Sequence, residues 1–128
     1  MSFEYEKAYR QGEVLFFKVK TLKGIRLPYH GKPIKIIDGV IREGEKEGHE
    51  HKVEGGQLTM FGEVAGKPEA TEAKGNDVNG DVGVVQVLKE AARVTHPEHK
   101  EVKLPPGDYV TTIQKEAKGK HGSQSVKD

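Results

Sequence analysis

Residues 13–20 read EVLFFKVK. The run is rich in Val and Phe, and its side chains divide by period two. Leu15, Phe17 and Val19 share one face, while Val14 and Phe16 share the other, as successive residues of a strand do. Apolar residues on both faces predict a strand covered on both sides for part of its length. Gly12 before it and residues 23–32 after it act as breakers.

The same reading extends outward. Residues 33–42, PIKIIDGVIR, form a second strand candidate, and Asp38-Gly39 within it signals either a hairpin turn or a bulge. Residues 49–53 and 57–61, split by Gly55-Gly56, read as a short hairpin. Residues 62–81 have almost no apolar periodicity and are expected to be a surface insertion. VGVVQVL at 82–88 is a strand; residues 89–92 turn into another at 93–96. Strands at 101–104 and 109–114 flank Pro105-Pro106-Gly107-Asp108, where Pro106 and Gly107 suit the centre of a type II turn. Seven or eight short strands without a convincing helix predict an all-β fold, a small single-domain barrel or sandwich. Residues 1–10 are expected as an N-terminal arm, 11–116 as the β domain and 117–128 as a polar tail.

Composition bounds the function. The chain has 128 residues, too few for a multidomain enzyme. Its 21 Lys and Arg against 20 Asp and Glu give a net charge of +1, so bulk charge does not indicate nucleic-acid binding. The absence of Cys excludes disulfides, thiolate metal ligands and a Cys nucleophile. The N-terminal MSFEYEKAYR lacks the apolar segment of a signal peptide, and no run is long and apolar enough to span a bilayer as a helix. These features predict a cytoplasmic protein, or a virion component if the source is a phage.

Four of the six His fall in two clusters, His49-Glu50-His51 and His96-Pro97-Glu98-His99. On a strand His49 and His51 point to one side, and a turn at Pro97 brings His96 and His99 together. Three or four imidazoles suit zinc, and a mixed set with Glu54 or Glu98 suits another divalent transition metal such as iron or manganese. The metal is either a structural staple or, with an open position, a source of activated water for hydrolysis. Metal-free acid–base chemistry uses the same side chains, and exposed surface histidines are the plain alternative. Asp77, Asn79 and Asp81 alternate like the start of a calcium loop, but Val82 and Leu88 occupy the places that need Gly and Glu, which excludes an EF-hand.

Three motifs together resemble a family of small uncharacterised proteins of bacteria and their phages: Gln11-Gly12-Glu13-Val14-Leu15; Gly44 through Gly48-His49-Glu50-His51; and Val94-Thr95-His96-Pro97-Glu98-His99 continuing through Leu104-Pro105-Pro106-Gly107-Asp108-Tyr109 to Glu116. The resemblance implies a shared β-rich fold and a shared histidine-bearing face, and no reaction. HxH followed by Glu54 and Gly62 also resembles the first cupin motif, with each spacing off by about a residue and no His after the Pro-Pro-Gly turn. Against the histidine site stands a second expectation, a non-catalytic homo-oligomer or assembly protein such as a phage particle component.

Overall fold

The computed structural model describes residues 3–27, 31–41 and 50–114. Eleven strands form two sheets. In chain order they are β1 (Lys7–Gln11), β2 (Val14–Val19), β3 (Lys32–Ile36), β4 (Val40–Ile41), β5 (His51–Glu54), β6 (Gln57–Val64), β7 (Glu72–Ala73), β8 (Val78–Val87), β9 (Ala92–Thr95), β10 (Val102–Leu104) and β11 (Gly107–Ile113). The larger sheet runs β1-β2-β11-β8-β6-β3-β7 and the smaller β10-β9-β5-β4. The fold is all-β, and it is a sandwich; among the described residues no closed barrel forms. Among the described residues the one helical turn is Gly75–Asp77, and no helix is long and apolar enough to cross a membrane.

The core lies between the sheets, where alternate side chains meet. Val14, Phe16, Ile34, Leu58, Met60, Val85 and Tyr109 come from the larger sheet; Ile41, Val53, Ala92, Val94 and Leu104 come from the smaller. The two-faced reading of EVLFFKVK holds. Phe16 faces this core, while Phe17 turns to the outer face, opposite Val110 of β11 and covered by the rings of Phe3 and Tyr5. Burying side chains such as these contributes about 1.5–3 kcal/mol each.

Three of the expected turn or bulge sites prove to be crossings between sheets. Asp38-Gly39 is neither a hairpin nor a bulge: β3 belongs to the larger sheet and β4 to the smaller. Asp38 Oδ1 accepts from the backbone N–H of Val40 at 3.2 Å and of Gly75 at 2.9 Å, which fixes the corner. Gly39 has φ 72°, and its carbonyl accepts from Val53 N–H at 2.8 Å. A Cβ there would stand 2.3 Å from Val53 O, so only glycine fits. Likewise β5 and β6 flank Gly55-Gly56 but do not pair, and β10 and β11 flank Pro105-Pro106 without pairing. Gly107 is already the first residue of β11, opposite Val87, rather than a turn residue. The turn chemistry marks where the chain bends; it does not say whether the next strand pairs with the last or packs across the core.

Residues 62–81, expected as a surface insertion, contribute 62–64, 72–73 and 78–81 to the larger sheet, while 65–71 and 74–77 lie outside its strands. β6 runs on to Val64 and β8 begins at Val78; the two pair at Val64↔Val78 after a register irregularity between Phe61 and Glu63. Both valines are buried, which a surface loop would not achieve. Residues 7–10 of the expected N-terminal arm belong to an edge strand, Lys7–Gln11, paired to β2. The expected polar tail lies outside the described residues.

Candidate functional site

His51, His96 and His99 meet where three pieces of chain converge: the start of β5, the β9–β10 loop, and the end of β1. β5 and β9 pair at Lys52↔Thr95 and Val53↔Val94, so the ladder extended by one step sets His51 opposite His96. The ring centroids of His51 and His96 are 4.4 Å apart, those of His96 and His99 are 4.4 Å apart, and those of His51 and His99 are 6.0 Å apart. His51 is fully buried, whereas His96 and His99 are half-buried and cover it from the loop.

Gln11, missed as a site residue by sequence reasoning, governs this cluster. It is 1% exposed. Its Nε2 donates to the carbonyls of Val94 and Lys100, each at 2.8 Å. Those two acceptors fix the orientation of the amide and leave Oε1 2.8 Å from His51 Nδ1. An amide oxygen only accepts, so Nδ1 of His51 carries the proton and the lone pair of the neutral ring lies on Nε2. The logic is that of the groups that orient metal-binding or catalytic histidines. The available signal was the Gln11-Gly12 pair in the first shared motif, but a Gln far from any histidine in sequence gives no hint of contact.

Gly12 completes the floor. Its φ of 59° belongs to the tight β1–β2 turn. A Cβ at this position would stand 2.9 Å from His99 Nε2 and 3.3 Å from His51 Cε1, so the turn leaves room for both rings.

His96 has the opposite polarity. Its Nδ1 accepts from the backbone N–H of Glu98 at 3.0 Å. In the neutral ring the proton therefore sits on Nε2. His51 and His96 thus present a lone pair and an N–H at their respective Nε2 atoms.

Two other expected ligands, Glu54 and Glu98, are placed differently. Glu54 lies on the opposite face of β5 from His51 by period two, and its carboxylate pairs with Arg93 at 3.0 Å. Glu98 is exposed and reaches His96 through its backbone N–H. His49 lies outside the described residues. Among the described residues, no group of three or more His, Asp or Glu is placed to hold a metal ion. The three ring pairs are unevenly spaced, two at 4.4 Å and one at 6.0 Å.

Tyr109 of β11 is a further buried side chain with a polar group. It is fully buried, packs edge-on to Tyr9 at 6.0 Å, and its hydroxyl donates to the carbonyl of Pro105. Burial, and secondarily the neighbouring Tyr9, push its pKa up from 10.0 to about 12. It is therefore neutral at any physiological pH and acts as a clamp on the Pro105-Pro106 crossing rather than as an acid.

A family described as a domain of unknown function, DUF8820, matches residues 10–114 of the chain. No curated protein and no solved structure matches it.

Proposed function

Because the chain belongs to the DUF8820 family, whose function is unknown, its own site must carry the reading, and we propose that the histidine cluster is a divalent transition-metal centre of structural role. The observation that carries it is the Gln11–His51 pair: a buried imidazole with its Nδ1–H committed to a fixed amide and its lone pair on Nε2. In such a centre His51 would stay where Gln11 holds it, and the half-buried His96 and His99 would supply further donors from the loop. His96 would give up its bond from Glu98 N–H, its ring proton moving from Nε2 to Nδ1 so that Nε2 carries the lone pair. His49, two residues before His51, is the fourth donor that the sequence spacing offers. The deep burial of His51 favours a staple over an open hydrolytic position. Held by these residues, a metal would tie the β9–β10 loop to β5.

The test is titration of chelator-treated protein with Co(II), followed by the ligand-field absorption of tetrahedral nitrogen coordination. Saturation at one equivalent, lost in His51→Ala and His99→Ala but kept in Glu54→Ala, supports the centre. No visible band in the folded wild type sinks it.

One observation favours a second reading. The opposite polarities of His51 and His96 form an acid–base pair without metal. That reading keeps both tautomers in the presence of Zn(II), as seen in nitrogen-15 shifts of the rings. The assembly role has its own readout, a solution mass many times that of one chain.

A further inference from the structure

A second candidate site shares no residue with the histidine cluster. It lies on the outer face of the larger sheet, at the β2 side, where the chain before β1 folds over Phe17. The rings of Phe3, Tyr5 and Phe17 form one cluster: Phe3–Phe17 at 5.6 Å, Tyr5–Phe17 at 4.9 Å and Phe3–Tyr5 at 6.2 Å. Tyr5 nevertheless remains 53% exposed, one of three large hydrophobic side chains so exposed among the described residues. Packing against two rings holds it in place while its surface stays open to solvent. Beside it runs a groove of about 750 Å³, lined also by Lys20, Lys23 and Arg26 from the segment after β2. All three cations are exposed.

The charge of this region differs from that of the whole chain. Between Glu13 and Asp38 the sequence carries Lys18, Lys20, Lys23, Arg26, Lys32 and Lys35 and no acid. The net charge of +1 averages this basic stretch against acidic ones elsewhere. A fixed, solvent-facing aromatic ring beside a row of cations is the arrangement that single strands recognise: bases stack on the ring and phosphates follow the cations. A duplex offers no unstacked base to such a ring. An open groove, rather than an enclosed cavity, suits a chain that passes through over a mononucleotide held on all sides. Glu4 and Glu6 also line the groove and oppose phosphates, which gives the idea a signed test.

We infer that this groove binds single-stranded nucleic acid, with Tyr5 as the stacking platform and Lys20, Lys23 and Arg26 as the phosphate contacts. The probe is a fluorescein-labelled twelve-residue oligothymidylate, read by anisotropy at low salt with the full chain. Wild type binds it, and the absence of Trp lets tyrosine emission report stacking as quenching. Tyr5→Ala weakens binding about tenfold; Tyr5→Phe, which keeps the ring, restores it. Three phosphate contacts give a slope of log affinity against log salt of about −2, which the triple variant Lys20→Gln/Lys23→Gln/Arg26→Gln flattens. Glu4→Gln/Glu6→Gln tightens binding. Four results overturn the inference: no binding at about 100 μM protein in low salt; equal affinity for a blunt duplex of the same length; full affinity for thymidine monophosphate alone; or wild-type binding by a folded Tyr5→Ala.

Discussion

Replacing Gln11 by Ala perturbs the centre of the histidine site without touching a histidine. Three hydrogen bonds disappear: two from Nε2 to the carbonyls of Val94 and Lys100 and one from His51 Nδ1–H to Oε1. Each contributes about 1 kcal/mol net, and a buried donor left alone costs more, about 1–3 kcal/mol. Water can reach the half-buried side of the Lys100 bond and offsets part of this. The sum is a loss of about 3–4 kcal/mol, which lowers the melting temperature of a domain this size by roughly 10–15 °C. Thermal unfolding followed by far-ultraviolet circular dichroism measures it.

Gln11→Glu keeps the shape and sharpens the test. An ionised carboxylate accepts from His51 Nδ1–H, but its other oxygen then faces two carbonyl oxygens. Only the protonated form donates to one of them. Burial beside those carbonyls raises the carboxyl pKa in the folded state above the unfolded value of about 4.3. The variant is therefore closest to wild type below that value and loses stability, relative to wild type at the same pH, as the pH rises. Metal affinity in Gln11→Ala falls about 10–100-fold, as for other groups that orient a metal-binding histidine. If Gln11→Ala melts within about 3 °C of wild type, and the gap between Gln11→Glu and wild type is the same at pH 4 and pH 7, Gln11 does not hold His51 as described.

Other expectations follow from single residues. Gly12→Ala places a methyl against His99 and His51 on a backbone of φ 59°, and destabilises by about 1–3 kcal/mol in a melt. Glu54→Ala removes an exposed ion pair with Arg93, so stability changes by less than about 1 kcal/mol and metal binding is unchanged in the same titration. Tyr109 ionises near pH 10 in the unfolded chain but only near 12 in the folded one, so its contribution is intact below pH 10 and is lost as the pH rises through 12. The loss totals about 3 kcal/mol at 1.36 per unit; denaturant unfolding from pH 8 to 12 shows it as a steeper fall in wild type than in Tyr109→Phe.

Much of the fold was legible because strands declare themselves by local alternation. The strand at EVLFFKVK and those ending in β8, β9 and β11 needed no distant information. The pairing did not follow from the same signals. Asp38-Gly39, Gly55-Gly56 and Pro105-Pro106 report a bend, and a bend serves a hairpin and a sheet crossing equally well. Residues 62–81 hid their strands because the pairing there uses few apolar side chains, with Val64 and Val78 buried at its end. At the site, His51, His96 and His99 were legible from spacing and residue type. Gln11 was not, since its role depends on backbone carbonyls 83 and 89 residues away. Glu54 misled because nearness in sequence to His51 says nothing of the strand face, which period two assigns to Arg93.

The most direct test is the metal content of untagged protein purified without added metal, by elemental analysis at known protein concentration, beside His51→Ala prepared in parallel. About one zinc, iron or manganese per chain in wild type and none in the variant is the result expected of the proposed centre. A folded wild-type protein that carries no transition metal, and takes up none when dialysed against micromolar Zn(II), contradicts it.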